Sequence, residues 1–557
     1  MPADCNSIVL GAAQFEQTPW ATRARDDGVV AAWREALSHG AAQAASRVGG
    51  DFAVALREPS GRVFMAIDRF AVRTLCYRQV GAELRFAARA DALADPDAQI
   101  DPQAIYDYLY FHVIASPRTI FKGVFRLPPG HYALFENGKL TVAPYWMPEF
   151  IEPRRASFVE LRDEFRGLLR GAVERRLDGG KPACFLSGGT DSSTVAGLIG
   201  EVSGGQAATY SIGFEADGYD EMEYARIAAR HFKTEHHEHY VTPDDLVRSI
   251  AAVAASYDQP FGNSSALPAY YCERMARADG VTRLLAGDGG DELFGGNTRY
   301  AKQRIFDWYD VLPSGLRSGV LEPLFGLRAI GNTPLLRKAA SYVEQARVPM
   351  PDRLQMYNLL LRLGTDTVLT PGFLSLVDLD SPARQQREVW ARAGNASRIN
   401  RTLVYDWRYT LAESDLPKVC GTARLAGIDV GFPMLDDELL AFSLRLPSHY
   451  KLRGLKLRWF FKEALRGFLP EQIIAKKKQG FGLPFGVWVT RHVPLKRLAV
   501  DSLASLGTRG IVRPDFIAAL IDRHLPEHPG YYGEMVWILM MLEQWLQRHA
   551  PRFSARG

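Results

Sequence analysis

The first 150 residues alternate short apolar runs with turn residues. Residues 51–56, 62–67 and 83–87 read as strands, punctuated by Pro59-Ser60-Gly61 and by Gly81, as in hairpins. The period then changes. From 158 to 177 apolar side chains recur every three or four positions, which predicts an amphipathic helix. Short buried strands at 183–186, 208–214 and 283–286 follow, alternating with helical stretches, the pattern of a parallel sheet covered by helices. From about residue 301 the pattern is mostly helical and aromatic, ending in a helix at 534–548. A charged, proline-containing connector at 149–156 divides the chain into two units, 1–150 with an α+β sheet pattern and 155–557 with an α/β pattern and a helical C-terminal part.

Length alone would allow more. At roughly 150 residues per domain, 557 residues suggest three or four units, and the pattern reduces these to two. With 67 Lys and Arg against 63 Asp and Glu, the net charge of +4 makes nucleic acid an unexpected partner. Five scattered cysteines without C-x-x-C spacing point to a reducing compartment. The start lacks a basic segment before its apolar stretch, and the apolar run 535–542 falls short of the roughly 20 residues of a membrane span. A cytoplasmic protein with no membrane partner is expected.

Two segments carry chemistry. Residues 184–193 read C-F-L-S-G-G-T-D-S-S before a helix expected at 194–201: the strand ends at Leu186, Gly188 and Gly189 turn the chain, and small hydroxyl residues enter the helix. Glycines let backbone N–H groups approach an oxyanion, and Ser187, Ser192 and Ser193 add hydroxyl donors, a geometry suited to pyrophosphate. No G-x-x-x-x-G-K-[ST] loop occurs. Residues 284–297, L-L-A-G-D-G-G-D-E-L-F-G-G-N, repeat the strand-then-glycine pattern with acidic residues. Carboxylates at the ends of two parallel strands can share Mg²⁺, which takes oxygen ligands and bridges phosphates. Helix capping and solvated turn positions are the plain alternative for Asp288 and Glu292.

The first segment resembles the PP-loop of ATP pyrophosphatases, and the two together resemble the asparagine synthetase family. The resemblance extends over nearly the whole chain: Y-S-I-G-F at 210–214 looks like the strand facing adenine, Asp258-Gln259-Pro260 like a substrate-side turn, and G-F-P-M-L-D at 431–436 like the family's V-P-F-L-D. Leu446-Pro447, Gly454-Leu455-Lys456 and K-K-K-Q-G-F at 476–481 follow in family order. The resemblance implies ATP and Mg²⁺ as cofactors, with Asp191 and Asp291 as metal ligands. It implies a nucleotide cradle of Leu186, Ser187, Gly188, Gly189, Asp191, Ser192, Ser193, Ser211, Ile212, Gly213, Gly287, Asp288 and Gly289. Lys478 falls on the lysine that contacts the phosphates.

The implied reaction activates a carboxylate on the α-phosphorus of ATP, and an amine then displaces AMP. Glu292, Asp288 or Glu413 would take the amine's proton; the sequence leaves this open. Asp415, Leu416 and Lys418 match the family's D-L-x-x-K, but the next D-R pair is Cys420-Gly421 and the E-x-R is Asp429-Val430-Gly431. Those positions lie on the substrate side in the family, so a carboxylate other than aspartate is expected.

The N-terminal unit resembles the family's Ntn-hydrolase-like glutamine amidotransferase domain, whose cysteine nucleophile stands at position 2. Position 2 is Pro2, and Cys5 lacks the following glycine. Between Trp20 and Gly50 there is no counterpart of the family's N-G-E-I-Y-N or S-D-x-E. The scaffold segments persist at 50–53, 67–70, 86–89, 118–121 and 127–131. The expectation is a domain without glutaminase activity, as in lasso peptide cyclases and β-lactam-forming synthetases, where the substrate supplies the amine. A lasso-type macrolactam synthetase acting on a precursor peptide with a protease partner is the leading reading. Its alternatives are an asparagine synthetase using ammonia or glutamine and a non-catalytic scaffold. E-H-H-E-H at 235–239 reads as a strand, because its consecutive spacing puts no ligand set on one helix face. Trp459-Phe460-Phe461 and Trp537-Ile538-Leu539 read as core.

Overall fold

Five strands build the first sheet: β1 (Ser7–Gly11), β2 (Phe52–Arg57), β3 (Val63–Ile67), β4 (His131–Glu136) and β5 (Lys139–Pro144). They run antiparallel in that order, with Ala53 opposite Ile67 and Arg57 opposite Val63. In this computed structural model the described residues are 7–95, 98–153, 157–216, 218–311, 313, 342–477 and 482–555. Pro2, Cys5 and Lys478 lie outside them.

The unbroken apolar run of β2 and β3 has a simple cause: successive side chains point to opposite faces, and both faces are covered. Ala53, Ala55, Met65 and Ile67 pack with Tyr77, Leu84, Phe86 and Leu127 on one side. Phe52, Val54, Leu56 and Phe64 pack with Trp20, Trp33 and Ala44 on the other. The expected strand Glu83–Ala87 exists, but it belongs to a separate three-stranded sheet, paired with Cys76–Val80.

The second sheet is parallel. Its strands are β6 (Ala183–Phe185), β7 (Ala208–Phe214), β8 (Glu235–Val241), β9 (Arg283–Leu285) and β10 (Asp429–Gly431), in spatial order β8-β7-β6-β9-β10. Crossover helices Thr190–Ser203 and Met222–Phe232 link β6 to β7 and β7 to β8. Helix Phe158–Glu174 packs its apolar stripe, Leu161, Phe165 and Leu169, into the same core.

The C-terminal helix Pro529–His549 buries every residue from Met535 to Leu542. It lies inside the molecule, where Tyr108 of the N-terminal unit donates to Ile538 O at 2.8 Å. No helix of the described residues is long and apolar enough to cross a membrane.

Candidate active site

Strand order reverses at β6: β7 and β8 lie on one side, β9 and β10 on the other. Loops leaving the carboxyl ends of β6 and β9 therefore diverge and open a crevice, the usual ligand position in such sheets. Both glycine-rich segments fall in it.

The helix after β6 starts at Thr190, earlier than expected, with Gly189 as N-cap. The loop folds onto this first turn. Ser187 N donates to Ser192 Oγ at 3.2 Å, and Gly189 N donates to Ser187 Oγ at 3.4 Å. Gly188 has φ +67°, and a Cβ there would lie 2.4 Å from Ala225 N, so only glycine lets the loop press against the next helix.

Asp191 stands in the first turn of that helix and Asp291 in the first turn of the short helix Gly290–Phe294. Arg458 brings them together. Its Nη1 lies 2.5 Å from Asp191 Oδ2, 2.8 Å from Asp291 Oδ1 and 3.0 Å from Thr190 Oγ1. Burial opposes the Arg458 charge, but Asp191 and Asp291 outweigh it and hold its pKa above the ordinary value. Two glycines seat the carboxylates: a Cβ on Gly290 would lie 2.0 Å from Asp191 Oδ1, and one on Gly296 1.6 Å from Asp291 Oδ1. The pair thus converges on one positive charge with hard oxygen donors, which fits Mg²⁺. Among the described residues no group of three or more His, Cys, Asp or Glu could hold a metal, so substrate oxygens would complete the shell.

The crevice has two lobes that share Ser187, Asp191, Ser192 and Asp291. The inner lobe, about 330 Å³, is walled by Leu186, Tyr210, Ser211, Ile212, Asp288 and Lys418. The outer lobe, about 800 Å³, carries Lys456, Arg458, Lys462, Arg466, Lys476 and Lys477 beside Glu221, Glu463 and Glu471. Lys476 Nζ lies 3.4 Å from Gly188 O and 3.1 Å from Glu221. Burial and the Arg458 charge lower the pKa of Lys462, whose Nζ donates to Ile474 O at 2.7 Å. Lys418 sits between Asp415 at 3.1 Å and Asp288 at 3.4 Å. Burial raises the Asp288 carboxyl despite that lysine.

Of the residues expected here, Leu186, Ser187, Gly189, Asp191, Ser192, Ser211, Ile212, Gly287, Asp288, Gly289, Asp291 and Glu292 line the crevice. Ser193 does not. It is fully buried, because consecutive helical residues point about 100° apart and only Ser192 faces the opening. Gly188 lies behind the loop, and Gly213 lies under the Tyr240 ring.

Glu413 requires a correction. Its Oε1 accepts from Ser116 N at 3.1 Å, from Ser116 Oγ at 2.7 Å and from Arg408, tying the two units together away from the crevice. Sequence reasoning missed Arg458 and Lys462. Their signal was the four-residue spacing in K-L-R-W-F-F-K, which brings both to the same side of the helix Trp459–Ala464.

Helix Leu416–Ala426 divides the crevice from the first unit. Lys418 and Val419 face the crevice, whereas Pro417, Cys420, Gly421 and Arg424 face away. Cys420 Sγ lies 3.6 Å from Val72 O, and Asp429 is held by Arg73 at 2.7 Å and Arg283 at 2.9 Å. The E-H-H-E-H segment is strand β8; His237 stacks on Tyr210 and pairs with Glu235 at 3.1 Å.

Residues 164–547 match the asparagine synthase family model, and residues 13–146 match the glutamine amidotransferase domain model. The glutamine-hydrolyzing asparagine synthetase 1 of Bacillus subtilis is 23% identical over 513 residues, covering 90% of this chain and 78% of that protein. A putative asparagine synthetase of Mycobacterium tuberculosis is 24% identical over 525 residues, covering 91% and 78%. A second putative asparagine synthetase, from Methanocaldococcus jannaschii, is 34% identical over 289 residues, covering 50% and 56%.

Proposed function

The chain belongs to the asparagine synthase family of ATP-dependent, AMP-forming ligases, and on that premise we propose that it joins a carboxylate other than aspartate to an amine carried by the substrate itself. The observation that carries the reading is the two-lobed crevice at the strand-order reversal, with the acidic pair Asp191 and Asp291 shared by both lobes and a cluster of lysines and arginines in the outer one.

Adenosine occupies the inner lobe along Tyr210, Ser211 and Ile212, and the phosphates pass Ser187, Ser192 and the helix start. A substrate carboxylate oxygen attacks the α-phosphorus, and the α–β bridge breaks in line. Pyrophosphate leaves into the outer lobe, where the loop amides and Lys476 balance its charge. Asp191 and Asp291 would hold Mg²⁺, which supplies charge neutralisation at the phosphates. The amine then attacks the acyl carbon, AMP departs, and Glu292 accepts the amine's proton. A tethered amine gains from proximity, and lasso-type macrolactam formation on a precursor peptide is one form of that reaction. Support for a carboxylate other than aspartate comes from the sequence, where Cys420-Gly421 and Asp429-Val430-Gly431 stand in place of the family's D-R and E-x-R. The unit 1–150 serves as an Ntn-type scaffold; Arg69 pairs with Asp437 at 2.5 Å across the seam.

The second reading, asparagine formation from aspartate with glutamine or ammonia, is favoured by the amidotransferase match at 13–146. Purified protein with ATP and Mg²⁺ separates the two. The first reading expects AMP and pyrophosphate only with a substrate bearing both groups, and a product lighter by one water. Glutamine-dependent conversion of aspartate to asparagine overturns it and establishes the second.

A further inference from the structure

On the far side of helix Leu416–Ala426 lies a second cavity, about 620 Å³, between the two units. Positions 417, 420, 421 and 424 of the helix line it, the three- and four-residue spacing of a single face. The crevice lies behind the opposite face, at Lys418 and Val419. The cavity is therefore separate from the nucleotide lobes.

Its walls carry more guanidinium than carboxylate. Arg73 and Arg283 share Asp429. Arg126 lies 3.3 Å from Asp258, and Arg89 pairs with Asp91 at 2.6 Å. The Nε atoms of Arg73 and Arg126 are buried without a hydrogen-bond partner. Arg424 also lines the cavity, and its guanidinium has no hydrogen-bond or ion-pair partner among the described residues. The Arg424 side chain is exposed to solvent; surrounding protein and the like charge of Arg89 lower its pKa, and Asp258 partly opposes them. An unpaired guanidinium on a cavity wall leaves its planar donors open to an anion.

We infer that this interdomain cavity binds a small organic carboxylate, with Arg424 as the principal contact and Arg89 beside it. An arginine fork matches a carboxylate through two parallel hydrogen bonds. Leu10, Ala71, Val72, Ala423 and Ile428 line the remainder and receive an organic body. A compact anion such as sulfate would leave those apolar positions uncovered. The volume lies in the range of small-molecule sites. Neither the ATP chemistry nor the identity of the amine enters this inference.

Calorimetric titration of the full chain with citrate, free of nucleotide and Mg²⁺, tests it. Citrate should bind at millimolar concentration or below. Arg424→Gln should weaken binding roughly tenfold or more, the size of a lost charge-assisted pair. Arg424→Lys keeps the charge without the fork and should fall between. Arg497→Gln, at an exposed position on another helix, should bind as the parent does. A fluorescent ATP analogue should bind Arg424→Gln unchanged, which separates this cavity from the crevice. No citrate binding, equal binding by Arg424→Gln, or sulfate binding as tightly as citrate would each overturn the assignment.

Discussion

Two polar regions of the molecule use the same residue types in opposite ways. In the crevice between β6 and β9, Asp191 and Asp291 converge on one arginine at the edge of open space. In the seam between the units, Glu413 is closed in by Ser116 and Arg408, and the Arg408 charge also reaches His131, which is 7% exposed. A carboxylate at the edge of a cavity lies where substrate or cation can reach it. One enclosed by protein on every side, like Glu413 between Ser116 and Arg408, holds structure together. Proximity to a family motif does not separate the two kinds; what lies in front of the carboxylate does.

The largest expected effect breaks the open side. Asp191→Asn or Asp291→Asn should slow ATP-dependent pyrophosphate release about a thousandfold, roughly 4 kcal/mol in barrier, with the circular dichroism spectrum unchanged. Full activity in either variant would remove the distinction.

The closed side should respond in stability instead. Glu413→Ala leaves Arg408 facing the seam without its carboxylate and should cost about 3 kcal/mol in urea unfolding. Binding of a fluorescent ATP analogue should stay at the parent level. A loss of nucleotide binding without a loss of stability would return Glu413 to the reaction.

The smallest expected effect is a pH slope. Burial lowers the His131 pKa from 6.5 to about 4, with Arg392 and Arg408 adding to the shift. The folded state therefore favours the neutral ring, and this contribution, present above pH 6.5, is lost as pH falls from about 6.5 through about 4. It amounts to at most about 3 kcal/mol. His131→Gln should flatten the fall in Tm across that window, and parallel curves for the two proteins would exclude His131 as the source.

Much of the fold was legible from periodicity. The runs at 51–56 and 62–67 became β2 and β3 within a residue at either end, because two covered faces demand unbroken apolar strands. The helix from Phe158 followed its three- and four-residue spacing. The boundary shifted where hydroxyl residues stood at a helix start: the helix expected at 194–201 begins at Thr190, so Thr190 to Ser193 form its first turn, with Ser187 N bonded back onto Ser192. Among site residues, Ser187, Ser192, Asp191 and Asp291 were legible from short segments, whereas Ser193 was not, because adjacent helical positions face different ways.

The sequence by itself determined that two strand-then-glycine segments would each present a carboxylate beside backbone amides, since glycine and small hydroxyl residues leave the chain few other ways to turn. Tertiary structure alone decided that the two carboxylates meet. Strand order reverses at β6 and sets its loop beside that of β9, although the segments lie about a hundred residues apart. It also placed Arg458, 267 positions from Asp191, between them, and sent Glu413 to the seam. Local propensity acts over a turn or two of chain, whereas charge and exclusion from water act through space, and only the folded sheet sets those distances.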